Sequence, residues 1–327
     1  MLDRRQFVGL TAASALAPAC AGRAARAQAW PNRFVRLVVP FAPAGGVDVV
    51  GRLLAHRLSE FWDQQVVVEN KPGAGGNIAA EMVARSEPDG HTIFIVSIGQ
   101  AINRYIYPTL TYDPVADFAP VTLICVYPNV MVVPMTSPAR SVKEFIDYAK
   151  ANKGKVTYAS SGTGTSVHLS GELFKRMAGI EMTHVPYRGA GPAMNDLLPG
   201  RVDVMFATSS SALPQMQGNR LRGLAVTTLA RLTVAPELPT IAESGLTGFD
   251  VSSWFSLFVP ARTPPEIIRK IHADSAKALR EPAIALKLAQ LGAAVVASTP
   301  AELAAHLKAE MDKWGPVIKG AGISAHE

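Results

Sequence analysis

The chain has 327 residues, with 32 Lys and Arg against 26 Asp and Glu and 48% hydrophobic side chains. That length supports two domains with cores of their own. The formal charge of +6 is gathered into no basic run or aromatic-interleaved patch, which argues against a nucleic-acid partner, and two cysteines exclude a disulfide scaffold.

Residues 1–29 read as an export signal. Arg4, Arg5, Arg23 and Arg26 flank an apolar, Ala-rich run from Phe7 to Cys20. The run is shorter than the roughly 20 residues of a membrane span, and Ala27, Gln28 and Ala29 offer a small-residue cleavage site before Trp30. The string from Asp3 to Val8 also fits a twin-arginine signal, so the route of export stays open. Cys20, preceded by Pro18 and Ala19, is a poor site for lipid attachment. Without the signal the chain keeps 28 basic and 25 acidic side chains, net +3, and Cys125 as its one thiol. Cys125 lies in the apolar run from Val121 to Val126 and reads as a buried small hydrophobe.

From Val35 onward, apolar strand-like runs alternate with amphipathic helix-like runs, the pattern of an α/β fold with largely parallel sheets. Strands are expected at 35–39, 65–69, 92–97, 130–134, 156–160, 182–185, 202–206 and 221–227. Helices are expected at 48–61, 75–85 and 167–178, and another follows the capping box of Ser141 and Glu144 and stops at Gly154. The last third changes character, with helices at 264–279, 282–291 and 300–314, each opened by a Pro, and a second capping box at Thr299 and Glu302. A short strand at 293–297 separates the last two. Two apolar runs, Val121 to Pro134 and Trp254 to Pro260, bracket the middle block and read as two crossings of a hinge. Residues 30–128 and 254–327 then form one lobe and 129–253 the other, with a ligand cleft between the carboxyl ends of their sheets.

No catalytic or metal constellation stands out. The seven histidines form neither H-x-x-x-H nor H-x-H, and both G-x-S-x-G and the Walker loop are absent. Neither a metal nor a cofactor is expected. Three strand-to-helix turns share one chemistry instead: Phe41 to Val47, Ser97 to Gln100, and Ser160 to Ser166. Each offers Gly or hydroxyl residues without a fixed charge, a composition that lets main-chain N–H groups at a helix N-terminus meet an anion. Tyr187 can line the same cleft, Thr208 and Ser209 can reach into it, and Arg188 reads as a solvated cation. His168 can donate to a ligand or pack against the sheet. Asp48 reads as a helix cap and Asp203 as structural.

Six phrases in order resemble the tripartite tricarboxylate transporter receptor family, the Bug-type periplasmic solute-binding proteins. They are VPFAPAGGVDVVGRLLA from Val39, VVENKPGAGGNIAAEMVARSEPDGHT from Val67, YDPVADFAPVTLI from Tyr112, YASSGTGTSVHLSGELFKRMAGI from Tyr158, HVPYRGAGPAMNDLLPGRVDVMF from His184 and LPTIAESGLTGFDVSSWFSLFVPARTP from Leu238. The resemblance implies a two-lobed periplasmic binding protein of type II-like fold, each lobe a mainly parallel sheet flanked by helices, that is not an enzyme. Such a protein closes over a small organic carboxylate, with ordered water bridging to it, and delivers it to the membrane subunits of a tripartite transporter; a monomer is expected. Carried onto this chain, the family's ligand loops become Phe41, Ala44, Gly45 and Gly46 with Ser160, Ser161, Thr163, Gly164 and Thr165. Gln100, Tyr187 and Thr208 complete the expected ligand set from the other turns. Relatives usually carry Gly in place of Ala44 and often Ser or Thr in place of Val47, so a common small diacid is a less secure expectation here. A sensory receptor signalling to a kinase, or a periplasmic hydrolase or lyase, remain alternatives; the latter needs an acid-base or nucleophile pair that the sequence does not offer.

Overall fold

The computed structural model describes residues 30–107 and 109–324, so the expected export signal lies outside the described residues. Three parallel strands open the fold, β1 (Val35–Val39), β2 (Val66–Asn70) and β3 (Thr92–Val96), with β1 in the middle. Their connections are α1 (Gly46–Trp62), a single 3-10 turn at Ala74–Gly76, α2 (Asn77–Ala84) and, after β3, α3 (Gly99–Ile106). The strands read as unbroken apolar runs because both faces are covered: Leu37, Val39, Ile93 and Ile95 pack in one core, Val38, Phe94 and Val96 in another.

The chain then makes one long strand, β4 (Phe118–Pro134). The middle block follows as α4 (Val142–Ala151), β5 (Thr157–Ser160), α5 (Ser166–Ala178), β6 (Thr183–Pro186), α6 (Ala190–Leu197), β7 (Val204–Thr208), α7 (Ser209–Gln217) and β8 (Leu221–Val226). The chain returns along β9 (Ser252–Pro260) and ends in α8 (Pro265–Leu279), α9 (Pro282–Gln290), the two-residue β10 (Ala294–Val295) and α10 (Pro300–Ala321). The strand order is β2-β1-β3-β9-β4-β7-β5-β6, with β8 and β10 also on β4. The outer strands of each half pair in parallel, whereas β9 and β4 run antiparallel through the middle.

Two details join the halves. Up to the pair Pro128↔Ser252, β4 is bonded to β9; from Asn129↔Thr208 onward it is bonded to β7 and β8. Pro128 has no N–H to give to a ladder, so it suits the changeover, and Pro120 likewise falls at a register shift. The run from Trp254, which has no partner nearby in sequence, finds both its neighbours, β3 and β4, in distant segments.

Several expected boundaries move. Helix α1 starts at Gly46, two residues before Asp48, and the expected helix at 75–85 splits because Gly75 has φ 61°. Helix α10 continues past Trp314 through Pro316 to Ala321. Buried Trp314 and Ile318 anchor that extension, which offsets the lost hydrogen bond at Pro316. The Thr299–Glu302 capping box is complete. At α4, Ser141 Oγ accepts from Glu144 N–H, but Glu144 reaches one residue further back, to the N–H of Arg140. Cys125 is fully buried, and burial pushes its thiol well above the usual range.

Candidate ligand-binding site

Where the two halves of the sheet meet, the carboxyl ends of their strands face one another across a cavity whose empty space, part of it open to solvent, is about 370 Å³. Helix starts make up much of its wall. Gly46 and Val47 open α1, Ser166 and Val167 open α5, and Ala190 opens α6; Thr208 is the N-cap of α7. Ser97, at the end of β3, joins them, as do Ser253 and Phe255 from one side of β9.

The first N–H groups of a helix have no intrahelical acceptor. Here the N-caps of α1, α6 and α7, namely Gly45, Gly189 and Thr208, make no side-chain cap hydrogen bond. At α5, Thr165 Oγ1 accepts from His168 N–H at 3.3 Å, which leaves the earlier amides of Ser166 and Val167 uncapped by it. Each helix end carries roughly half a positive elementary charge, worth about 0.3 to 1 kcal/mol to an anion at an exposed end. No Lys, Arg, His, Asp or Glu lines the cavity. The wall is therefore electropositive through main-chain dipoles alone, a design suited to a carboxylate and lacking the acid-base or nucleophile pair of a hydrolase.

Asp48 is the nearest buried carboxylate, and it is turned away. It accepts from Ala44 N–H at 3.0 Å, from Arg52 Nε at 2.9 Å and from Asn70 Nδ2 at 2.9 Å. Burial pushes its pKa up, but the hydrogen bonds from Arg52, Asn70 and Ala44 outweigh burial and hold it below the ordinary value. Asp48 thus ties down the turn and stays charged at neutral pH without facing the ligand space.

A second cavity, of about 470 Å³ when its solvent-open part is counted, adjoins the first and shares Phe41 and Ser161 with it. It is lined by Gly73 to Gly76, Tyr107, Gly162, Thr163, Pro186, Tyr187 and Arg188. The two halves touch around both cavities: Ala42 N–H donates to Arg188 carbonyl at 2.9 Å, Tyr107 hydroxyl to Thr163 carbonyl at 3.4 Å, and Ser209 hydroxyl to Leu291 carbonyl at 2.7 Å. These contacts hold the two halves against one another.

Of the expected ligand residues, Phe41, Gly45, Gly46, Ser161, Thr165 and Thr208 line the first cavity. Thr163 and Tyr187 line the second, where the Tyr187 hydroxyl donates to Asp196 at 2.7 Å. Four further expected positions line neither of these cavities. Ala44 is exposed on the outside of its turn at φ 67°, a strained value for a residue with a Cβ. Gln100 is buried with its amide nitrogen held by the Pro114 carbonyl at 2.8 Å, and Ser97 reaches the first cavity from that turn instead. Ser160 is fully buried, turned inward to His184 at 2.6 Å. Gly164 faces Asn103 rather than either cavity, and a Cβ there would lie 2.6 Å from Asn103 Oδ1. Asp203 is structural, accepting from Thr157 N–H and hydroxyl at 2.7 and 2.8 Å.

Val167, Ala190, Ser253 and Phe255 were not foreseen as wall residues. A sequence signal existed for two of them: the period-2 spacing of Ser253 and Phe255 places both on one side of a strand.

The model of the tripartite tricarboxylate transporter family receptor matches residues 50–323. The chain belongs to this family. Among curated relatives, a UPF0065 protein from the tcbD-tcbE intergenic region of Pseudomonas sp. (strain P51) is 40% identical over 306 residues, covering 93% of this chain and 91% of the relative. Among solved structures, R. palustris Rpa4515 with adipate is 40% identical with a TM-score of 0.88, covering 90% of this chain and 100% of that one. The periplasmic binding protein BugD superposes equally well, at 34% identity, TM-score 0.88 and the same coverage. The receptor is a Bug-type periplasmic binding protein with a two-lobed α/β fold, and it is not an enzyme. Among the described residues, no helix is long and apolar enough to cross a membrane.

Proposed function

We propose that this receptor captures a small organic carboxylate between two lobes, 30–128 with 254–327 and 129–253, and delivers it to the membrane subunits of a tripartite transporter. Residues 1–29 direct its export, and it acts as a monomer. The observation that carries the ligand class is the convergence of four helix starts on one cavity whose wall holds no charged side chain. A carboxylate there gains from helix dipoles that are already in place. Micromolar affinity needs about −8 kcal/mol, within reach of several main-chain and hydroxyl hydrogen bonds combined with lobe closure. The adipate bound by the R. palustris relative is chemically consistent with that reading. The change of β4 partners at Pro128 supports a hinge at that point, with β9 as the second crossing.

The adjoining cavity suits the remainder of an elongated acid. Arg188 there supplies a cation that the first cavity lacks. In this reading one carboxylate occupies the helix-end cavity and the chain of the ligand passes between Phe41 and Ser161.

A thermal-shift screen of mono-, di- and tricarboxylates, aromatic acids, amino acids, neutral sugars and metal cations tests the ligand class. An acid present at about 100 times its Kd adds about 2.7 kcal/mol, which corresponds to about 5 °C in a protein of this size. A screen in which a sugar or a cation raises the midpoint and no acid does so contradicts the proposal.

A further inference from the structure

Behind the third loop lies a pair of histidines that touch neither cavity. His168, on α5, and His184, on β6, stack with ring centroids 4.2 Å apart and planes 23° from parallel. Tyr158 of β5 extends the stack, 4.8 Å from His184. Both imidazoles hold the loop. Gly164 N–H donates to His168 Nδ1 at 3.3 Å. His184 Nε2 lies 2.6 Å from Ser160 Oγ, which also accepts from Gly162 N–H at 3.1 Å. Two amides of the loop are thereby committed inward, and the chain between them is set so that Ser161, Thr165, Ser166 and Val167 face the ligand cavity.

The donor at Gly164 requires an unprotonated Nδ1, so this arrangement demands a neutral His168 carrying its proton on Nε2. The surroundings favour that form. Burial lowers the pKa of His168 to about 4, with Lys175 adding to the effect. Burial lowers that of His184 to about 3, His168 and Lys175 depress it further, and Glu172 opposes them. Tyr158, Glu172 and Lys175 are the titratable neighbours; Glu172 is engaged by the Tyr158 hydroxyl and by Lys175 at 2.9 Å. A proton on Nδ1 would set donor against donor at Gly164, and two charged rings at this spacing would repel each other.

We propose that His168 and His184 are positioning residues: as a neutral stacked pair they hold the 160–165 loop in its anion-accepting shape, and protonation of His168 dismantles that shape. The proposal rests on the carboxylate reading for its biological sense, but its physical content is the loop's conformation, which can be read without ligand.

The test is imidazole and amide 15N NMR of the ligand-free protein across pH, with His168→Asn, His168→Leu and His184→Gln alongside, and adipate titrated separately at pH 7. His168 should be the neutral Nε2–H tautomer at pH 7, and the Gly164, Ser166 and Val167 amide signals should move with its protonation near pH 4. His168→Asn, which presents an acceptor near the former Nδ1, should leave those amides in place; His184→Gln, which keeps a polar group toward Ser160, should do the same. His168→Leu should displace them and weaken adipate binding about tenfold, the worth of one buried hydrogen bond. The linkage has a definite sign: folded pKa values below the ordinary 6.5 make stability full above about pH 6.5 and progressively lost as pH falls toward 4. On unfolding at pH 5, wild type should therefore take up about one proton more than His168→Asn. A charged or Nδ1–H His168 at pH 7, or loop amides indifferent to its titration, overturns the proposal. If His168→Leu fails to fold, the pH series and the Asn variant still decide. If wild-type protein ignores adipate while the imidazole and amide signals behave as stated, the positioning proposal stands and the choice of acid is what fails.

Discussion

Gly46→Ala is expected to weaken carboxylate binding by about 10- to 100-fold while the ligand-free protein keeps its melting temperature. A Cβ at this position would lie 2.3 Å from Ser210 Oγ, 3.1 Å from Thr208 Oγ1 and 3.2 Å from the Tyr127 hydroxyl. These groups crowd the first helical residue of α1, two of them from the opposite half. Rotation of Ser210 relieves the worst contact but leaves the other two. Overpacking of this kind costs about 1 to 3 kcal/mol, and each 1.4 kcal/mol is tenfold in affinity. Gly46 is not among the residues with positive φ, and Ala is the better helix former, so α1 itself does not suffer. Adding Ser210→Ala should recover part of the lost affinity and leave the share due to Thr208 and Tyr127. Calorimetric titration of the single and double variants checks this; equal affinities for wild type and Gly46→Ala would mean that closure does not bring Gly46 against α7.

Trp254→Ala should be the most damaging single change to stability, by about 3 to 5 kcal/mol and about 5 to 9 °C in melting temperature. Trp254 is fully buried on β9, the strand that joins β3 to β4. Its indole N–H donates to Glu310 on α10 at 3.0 Å, and Trp314 donates to the same carboxylate oxygen at 3.3 Å. The His306 ring sits edge-on to it at 5.0 Å. Truncation therefore leaves a large void and removes one of the two indoles that hold Glu310, loosening α10 from the sheet. Trp254→Phe, which refills most of the void, should cost about half as much. Differential scanning calorimetry of both variants gives the comparison, and a loss under 1 kcal/mol for Trp254→Ala would show that α10 is anchored elsewhere.

Much of this organisation is legible in the sequence because it depends on local chemistry. The small-residue turns after β1, β3 and β5 identify themselves by their Gly and hydroxyl content between an apolar run and a helical period. Which individual side chain of a turn meets the cavity is another matter. Ser160 and Ser161 are neighbours at the end of a strand, where successive side chains point to opposite faces. One turns to His184 and the other to the cavity. Only the packing of the sheet decides between them. Gln100 and Ser97 divide in the same way around the start of α3. The runs Val121 to Pro134 and Trp254 to Pro260 are legible as strand-like, but that they pair with each other, and that β4 changes partner at Pro128, depends on contacts distant in sequence. Val47 lies on the cavity wall and offers an apolar side chain there without a hydroxyl, whereas Ala44 is exposed.

In the binding mode proposed above, main-chain N–H groups at helix starts, and not a cation, hold the ligand's charge. A crystal structure of the protein with the acid that gives the largest thermal shift tests it directly. A carboxylate is expected in the cavity between Gly46 and Ser166, its oxygens within hydrogen-bonding distance of amides or hydroxyls at the starts of α1, α5 or α7, directly or through one water. A ligand whose only carboxylate is paired with Arg188, with the helix-end cavity empty or filled by its apolar part, would contradict it.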